Sequence, residues 1–309
     1  MELIVLLVPY LLLIILLISL YLLCLRKWRL GLSVLIICIC INWWMSCLTF
    51  TMPSFSDKSE ALKVMSFNCN HSPKNEDVLD QRTRIIELIK KYNPDVVFLT
   101  ENFFKSKEDS VWLSLKTYPF HTNLKNHVGN SIYSKYPLFN DTIYQENGIP
   151  YGIIFCEIRY KDCIIDVFGC HLSSNNYNEH MEYMTPDSVD NRHEVKSYLK
   201  NILAAGKHRQ LEAKNILDLH DSAKPTIIMG DFNDVSGSPT LKIFDKAGFK
   251  DAWWKGGLGY GATIHYPLPY RIDHIMYNDK LKLKSIKKID AEGISDHDAL
   301  VAEFSINKN

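Results

Sequence analysis

The chain opens with two long apolar runs. Residues 3–25 are relieved only by Pro9, Tyr10, Ser19 and Tyr21, and residues 30–50 form a second run. A helix rises about 1.5 Å per residue, so roughly 20 apolar residues cross a hydrocarbon layer of about 30 Å. The pattern predicts two transmembrane helices, 3–25 and 30–50, joined by the turn Arg26-Lys27-Trp28-Arg29. A cleaved signal peptide fits less well, because no basic leader precedes the first run, the run is long, and no small-residue cleavage site follows it. The positive charges of the turn place it on the cytoplasmic side, with Trp43 and Trp44 at the opposite interface. The expectation is an integral, multi-pass membrane protein whose segment from about Pro53 onward is extracytoplasmic, in the periplasm or outside the cell. Residues 1–52 are then the membrane anchor, 53–61 a linker and 62–309 a separate folded domain.

In that domain the periodicity changes to alternating strands and amphipathic helices. Leu62–Phe67 alternates in part and stops at Asn68. Val78–Tyr92 has helical spacing closed by Asn93-Pro94, and Asp95–Leu99 is a short buried strand ending at Thr100-Glu101-Asn102. Residues 151–160 and 163–170 predict a hairpin about Lys161-Asp162, ending at His171-Leu172. Pro225–Met229 is a second buried strand ending at Gly230-Asp231-Phe232-Asn233. Tyr270–Tyr277 carries Asp273 and His274, and Ala299–Ile306 is preceded by Ser295-Asp296-His297-Asp298.

One polar strand end is ordinary, because turns favour Asn, Asp and Ser for backbone reasons. Five strands that end in or carry a carboxylate, carboxamide or imidazole are not, because in layered α/β folds such ends converge on one edge, where ligand sites form.

Charge and cysteine content narrow the picture. The chain of 309 residues is formally neutral, with 35 basic and 35 acidic residues, but residues 1–52 hold only Glu2, Arg26, Lys27 and Arg29. The remainder carries 32 basic against 34 acidic residues, which argues against coating long nucleic acid by charge alone. Cys24, Cys38, Cys40 and Cys47 lie in the apolar runs. Cys69, Cys156, Cys163 and Cys170 lie beyond them with no CxxC or zinc-type spacing. Buried free thiols are the favoured reading, with one disulfide open in an oxidising compartment.

The ordered set Asn68, Glu101, His171-Leu172, Gly230-Asp231-Phe232-Asn233, Arg271-Ile272-Asp273-His274 and Ser295-Asp296-His297 resembles the endonuclease/exonuclease/phosphatase (DNase I-like) superfamily over about residues 63–305. The resemblance implies a four-layer α/β/β/α sandwich and metal-dependent hydrolysis of a phosphoester by in-line attack of an activated water. It implies Mg²⁺ as cofactor, with Mn²⁺ as its substitute, held by Glu101 with Asn68 and Asp296 beside it. Asp231 would orient or deprotonate the attacking water, and Asn233 would bond the phosphate or that carboxylate. Asp273 would orient His297, and His171 would act on the phosphate as electrophile or acid. A His at 171, where apurinic-type members have Tyr, is similar to the DNase I, sphingomyelinase and phosphatase branches.

Asn130 and Arg209 are candidate substrate contacts, Arg209 equally a structural ion-pair partner, and His274 is expected to be structural. Each assignment has a plainer alternative: a turn residue for Asn68, a capping or turn acid for Glu101, and an Asx-turn opening the Ser236–Pro239 cap for Asp231 and Asn233.

Two segments fall outside the family pattern. Residues 175–208 form a long polar stretch, read as a lid, a membrane-facing element or an inert excursion. Gly256–Gly261 lacks the Gly-Lys-Ser/Thr of a P-loop and is expected to be a flexible loop at the site edge. The substrate is expected to be a lipid or small-molecule phosphoester, with DNA or RNA as the alternative. From another class, a catalytically silent domain could bind a phosphorylated ligand. The membrane enters as a partner through the N-terminal helices, and no protein partner is indicated.

Overall fold

A computed structural model describes residues 2–51, 60–71, 78–102, 117–122, 129–144, 152–175, 191–265 and 268–307. The expected linker 53–61 therefore lies almost wholly outside the described residues, as does 176–190 of the long polar stretch.

Two antiparallel helices begin the chain, α1 (Glu2–Cys24) and α2 (Trp28–Met45). Both are long and apolar enough to cross a membrane. They pack closely where Gly31 lacks a side chain: a Cβ there would lie 2.8 Å from Leu23. Ser19 Oγ donates to the Gly31 carbonyl at 2.9 Å, which gives a buried hydroxyl its partner.

The second helix stops at Met45, short of the expected residue 50. Ser46 takes a left-handed conformation (φ 51°), and the Asn42 side chain bonds both the N–H and the carbonyl of Leu48. That capping turns the chain into a short strand, β1 (Thr49–Phe50), which pairs with β11 (Leu258–Gly259). The Gly-rich segment is thus partly ordered as a sheet partner of the chain leaving α2.

The rest is two six-stranded sheets. One has the order β13 (Leu281–Ile289), β14 (Ala299–Ile306), β2 (Leu62–His71), β3 (Val96–Asn102), β5 (Ser131–Ser134), β4 (Phe120–His121). The other runs β10 (Lys250–Asp251), β12 (Asp273–Tyr277), β9 (Thr226–Asp231), β8 (Cys163–His171), β7 (Gly152–Tyr160), β6 (Leu138–Tyr144). The expected hairpin forms about Lys161-Asp162, with Tyr160 opposite Cys163.

The inner faces share one core, including Phe98, Ile154, Met229, Ile275 and Leu300. Phe98 lies directly on Gly169 and Gly230. A Cβ at Gly169 would approach its ring to 2.4 Å, and one at Gly230 (φ +144°) would also meet the Cys170 carbonyl at 1.9 Å. The two sheets can approach here only because both positions are glycine.

The outer faces are covered by helices. On the first sheet, α3 (Val78–Tyr92) packs Ile85 and Ile89 against Phe67 and Val97. On the second, α4 (Asn191–Leu219) and α5 (Pro239–Lys246) pack Ala213, Ile216 and Phe244 against Phe168 and Ile228. A short α6 (Ala252–Gly256) lies between β10 and β11. The architecture is the expected four-layer α/β/β/α sandwich. The described part of residues 175–208 is a correction, since from Asn191 onward it belongs to the 29-residue α4. All eight cysteines are free thiols, and Cys69, Cys156 and Cys170 are buried.

Candidate active site

Strand register assembles the site. In the second sheet, His171 pairs with Asp231 on one side, and Asp231 pairs with Asp273 on the other, so three adjacent strands place these residues on one rung. In the first sheet, β2 and β3 run parallel with Asn68 opposite Thr100, which brings Glu101 to the same end. The two sheets meet there. Asn68 Nδ2 donates to Glu101 Oε1 at 3.0 Å and to Asp231 Oδ2 at 3.1 Å.

Around this link the imidazoles close in. His171 Nε2 lies 3.5 Å from Glu101 Oε1 and 3.9 Å from Asp231 Oδ2. His297 Nε2 lies 3.9 Å from the same Asp231 oxygen, and its Nδ1 sits 2.8 Å from Asp273 Oδ2. The loop carrying His297 is tied to β2, since Ser295 Oγ donates to the Asn68 carbonyl at 2.8 Å and accepts from the His297 N–H at 3.1 Å.

Burial sets the electrostatics. Asp231 is raised to about 6, by loss of hydration first and by the Asp273 charge second. Glu101 is also raised by burial, against the opposing Asn68 hydrogen bond. Burial lowers His171, favouring its neutral ring. Burial alone would lower His297 too, but the Asp273 carboxylate outweighs it and lifts the ring to about 10. The site therefore offers one neutral and one charged imidazole on either side of a buried carboxylate. Glu101 adopts a left-handed backbone (φ 52°), which costs an ordinary side chain about 1–3 kcal/mol and is found where geometry is held for function.

The donor set fits a hard divalent cation. The ligand atoms of Glu101, His171 and Asp231 lie within 4.8 Å of one another, as do those of Asp231, Asp273 and His297. The oxygens are mainly carboxylate, and Asp273 Oδ1 is buried with no hydrogen-bond partner among the described residues. Glu101, with 30% of its side chain exposed, is the acid that solvent and an entering ion can reach.

The other expected metal residues stand differently. Asn68 turns its N–H groups toward the carboxylates, and its Oδ1 accepts from Asn70 N–H at 2.9 Å, so in this arrangement it orients Glu101 and Asp231. Asp296 is exposed and outside both tight groups, though its charge acts on Glu101 and His297.

Asn233 does not lie on an extended segment. The strand ends at Asp231, and Asn233 takes φ 50°. Its N–H donates to Asp231 Oδ1 at 2.8 Å and its Nδ2 to the Leu172 carbonyl at 2.9 Å. The Asx-turn forms, and it leaves the second Asp231 oxygen facing the cluster. Ser238 is the N-cap of α5, accepting from Leu241 N–H at 3.2 Å.

Two expected substrate contacts are engaged inside the protein. Asn130 accepts from Thr100 Oγ1 at 2.6 Å and donates to the Gly152 carbonyl at 3.0 Å, which joins the two sheets. Arg209 is 2% exposed. It contacts Asp234 at 3.3 Å, the Ser173 carbonyl at 2.9 Å and Asn175 Oδ1 at 2.8 Å. This is the structural alternative of the two weighed for Arg209: it braces the segment that follows His171.

Sequence reasoning gave no role to a second buried cluster. Arg271 Nη1 donates to Asp251 Oδ2 at 2.7 Å and lies 2.9 Å from His274 Nδ1, which itself faces Asp251 Oδ2 at 3.0 Å, and Nη2 donates to Ser236 Oγ. His274 Nε2 lies 3.0 Å from the Asp234 carbonyl, so His274 is structural as expected. Asp298 was likewise missed. It binds His265 at 2.9 Å and pairs with Lys288. Its N–H donates to the Thr263 carbonyl at 2.7 Å, and Ile264 bridges to His297. The only signals were the motif position of Arg271 and the second acid in Ser295-Asp296-His297-Asp298.

Fold and site together define a phosphoester hydrolase of the layered α/β type. The chain belongs to the Endonuclease/Exonuclease/phosphatase family, which it matches over residues 65–297. Members of this family are phosphoester hydrolases, generally dependent on a divalent metal. No curated protein matches the chain.

Among solved structures, an endonuclease/exonuclease/phosphatase from Beutenbergia cavernae is 18% identical, with a TM-score of 0.57 over 80% of this chain and 72% of that one. Zebrafish (D. rerio) TDP2 complexed with a single-strand DNA product is 14% identical, with a TM-score of 0.57 over 80% of this chain and 100% of that one. The human Nocturnin catalytic domain is 17% identical, with a TM-score of 0.54 over 80% of this chain and 95% of that one.

Proposed function

We propose that the protein is a membrane-anchored, Mg²⁺-dependent phosphoesterase whose catalytic domain works on the outer side of the cytoplasmic membrane. The observation that carries this reading is the single rung His171–Asp231–Asp273, with His297 bound to Asp273 and Asn68 linking Asp231 to Glu101. Asp231, raised to about 6, takes the proton of a water positioned for in-line attack on phosphorus. His297, held charged by Asp273, binds the non-bridging oxygens as negative charge builds on them. His171 donates a hydrogen bond from its neutral ring. Asn233 holds the Asp231 carboxylate in place from below. Glu101, with the exposed Asp296 beside it, would hold the cation, which supplies charge neutralisation at the phosphate when bound. Mn²⁺ is expected to substitute. The positive turn Arg26-Lys27-Trp28-Arg29 supports the outward topology.

A nuclease is the second reading, favoured by the fold shared with a TDP2 that holds single-strand DNA product. The excess of acidic over basic residues beyond the anchor weighs against it. A silent ligand-binding domain would have no need to keep Glu101, Asp231, Asp273 and both imidazoles together.

The test is turnover of bis-p-nitrophenyl phosphate by the full chain with Mg²⁺, Mn²⁺ or EDTA, beside Asp231→Ala. Metal-dependent hydrolysis lost in the variant supports the reading. A folded wild-type protein that hydrolyses neither this compound nor any phospholipid or oligonucleotide overturns it in favour of the binding domain.

A further inference from the structure

The anchor does not merely tether the domain. Its outer end is built into the segments that carry the site. Met45 packs on Gly237, where a Cβ would meet its Cε at 2.6 Å, and Val235 joins Val5, Val8, Leu12, Cys38 and Met45 in one apolar cluster. This loop follows Asp231 directly. On the other side, Tyr10 Oη donates to the Pro269 carbonyl at 2.9 Å, and the Tyr10 and Tyr270 rings meet edge to face at 6.0 Å. Tyr270 stands three residues before Asp273, and the same segment supplies Thr263 and Ile264, which bond to Asp298, Asp273 and His297.

These contacts fix depth. Tyr10 lies seven residues into the apolar run, and from Tyr10 to Cys24 only 14 residues remain, a rise of about 21 Å. That falls short of the hydrocarbon thickness of about 30 Å. The 18 residues of α2, ending at Met45, span about 27 Å and must be used in full. The hydrocarbon boundary therefore lies about 9 Å beyond Tyr10 and about 3 Å beyond Met45, so the Pro269 and Gly237 segments meet the lipid between the headgroup layer and the outer end of the hydrocarbon. The neighbouring surface is apolar and exposed: Leu268 is 45% accessible, Leu258 68% and its cross-strand partner Phe50 76%.

We infer that residues 258–265 and 268–270 are seated at the lipid interface, and that the phosphoester the enzyme takes is the headgroup linkage of a lipid in the same bilayer. The inference rests on the phosphoesterase reading above. The occupant of the apolar rim is the membrane itself, because the rim is continuous with the end of α2.

The experiment uses the full chain in phospholipid vesicles containing phosphatidylglycerol, phosphatidylethanolamine and phosphatidylinositol. Released headgroup is measured beside hydrolysis of bis-p-nitrophenyl phosphate and of a short oligonucleotide. With Leu258→Glu combined with Leu268→Glu, lipid hydrolysis is expected to fall at least about tenfold, since carboxylates are driven from the interface, while the water-soluble diester is hydrolysed within about twofold of wild type. If the double variant loses both, Leu268→Gln alone decides by the same split. Equal rates on lipid in variant and wild type overturn the inference. So does a wild type that cleaves the oligonucleotide and the soluble diester but no lipid. A wild type inactive on all three removes the phosphoesterase reading and this one with it.

Discussion

The molecule buries two clusters of carboxylate and imidazole a few residues apart, and they are built to opposite ends. Around Asp251, both carboxylate oxygens are bonded: Oδ1 accepts the N–H groups of Trp253 and Trp254, and Oδ2 accepts from Arg271 and faces His274. Burial would raise this acid, but Arg271 and His274 hold it well below the usual carboxylate range. Around Asp231 the acids face one another. Asp231 and Glu101 are pushed upward, and Asp273 Oδ1 has no hydrogen-bond partner among the described residues. One cluster has the positive charge it needs in its own sequence. The other sets one charged imidazole, His297, among three acids, Glu101, Asp231 and Asp273. Arg271-Ile272-Asp273-His274 serves both clusters from one tetrapeptide, so the satisfied cluster holds the unsatisfied one in register.

The largest break in that comparison is Asp231→Ala. It is expected to lower kcat/KM by about 10³–10⁴, as for loss of a general base, with no loss of thermal stability in a melt run beside the assay. Asp251→Ala should do the reverse. It leaves Arg271, which is 0% exposed, as an unpaired buried charge, and the expected loss is about 3–5 kcal/mol in a denaturant titration.

The pH dependence of stability should separate the clusters by sign. Asp251 is depressed in the folded state, so its contribution is complete above the ordinary carboxylate range and is lost as pH falls below it. Asp231 is raised to about 6, so it favours folding at low pH and that contribution is lost as pH rises through about 6. In metal-free protein, Asp231→Asn should therefore raise Tm more at pH 7.5 than at pH 5, values chosen as about a unit or more on either side of that titration. A uniform gain across pH would mean that the acids do not strain the site. Added Mg²⁺ should raise the Tm of wild type and not of Glu101→Gln.

The smallest effect sharpens the boundary of the site. Asp296→Asn, at an exposed acid outside the tight groups, should raise the Mg²⁺ concentration for half-maximal activity by about threefold to tenfold with little change in kcat. A collapse of kcat would move Asp296 to the reacting centre.

Much of this was legible from residue order. The buried strands at 95–99 and 225–229 read as apolar runs because both faces are covered, and their polar ends then stood out. The outcome at Asn233 was not legible, because its place beside Asp231 suggested an extended pair and the reversal of φ at that residue is set by bonding to Leu172. Arg209 was ambiguous for a similar reason. A lone Arg on an amphipathic helix gives no sign of whether Asp234 or a phosphate will meet it. The end of α2 was misplaced by five residues because hydropathy continues past Met45, while the helix is ended by a local cap, Asn42 on Leu48, which hydropathy does not weigh.

By itself the sequence determined the layers, the family and the chemical types of the site, because period, apolar content and the order of Asn, Glu, His and Asp are local properties of the chain. Tertiary structure alone decided which acids are satisfied and which are crowded, and which loops of the site meet the N-terminal helices. Those depend on distances between Tyr10 and Pro269, Arg271 and Asp251, or Asn68 and Asp231, pairs separated by 20 to 259 positions along the chain. Nothing in the local pattern encodes such distances until the sheets are in register and the helices are packed.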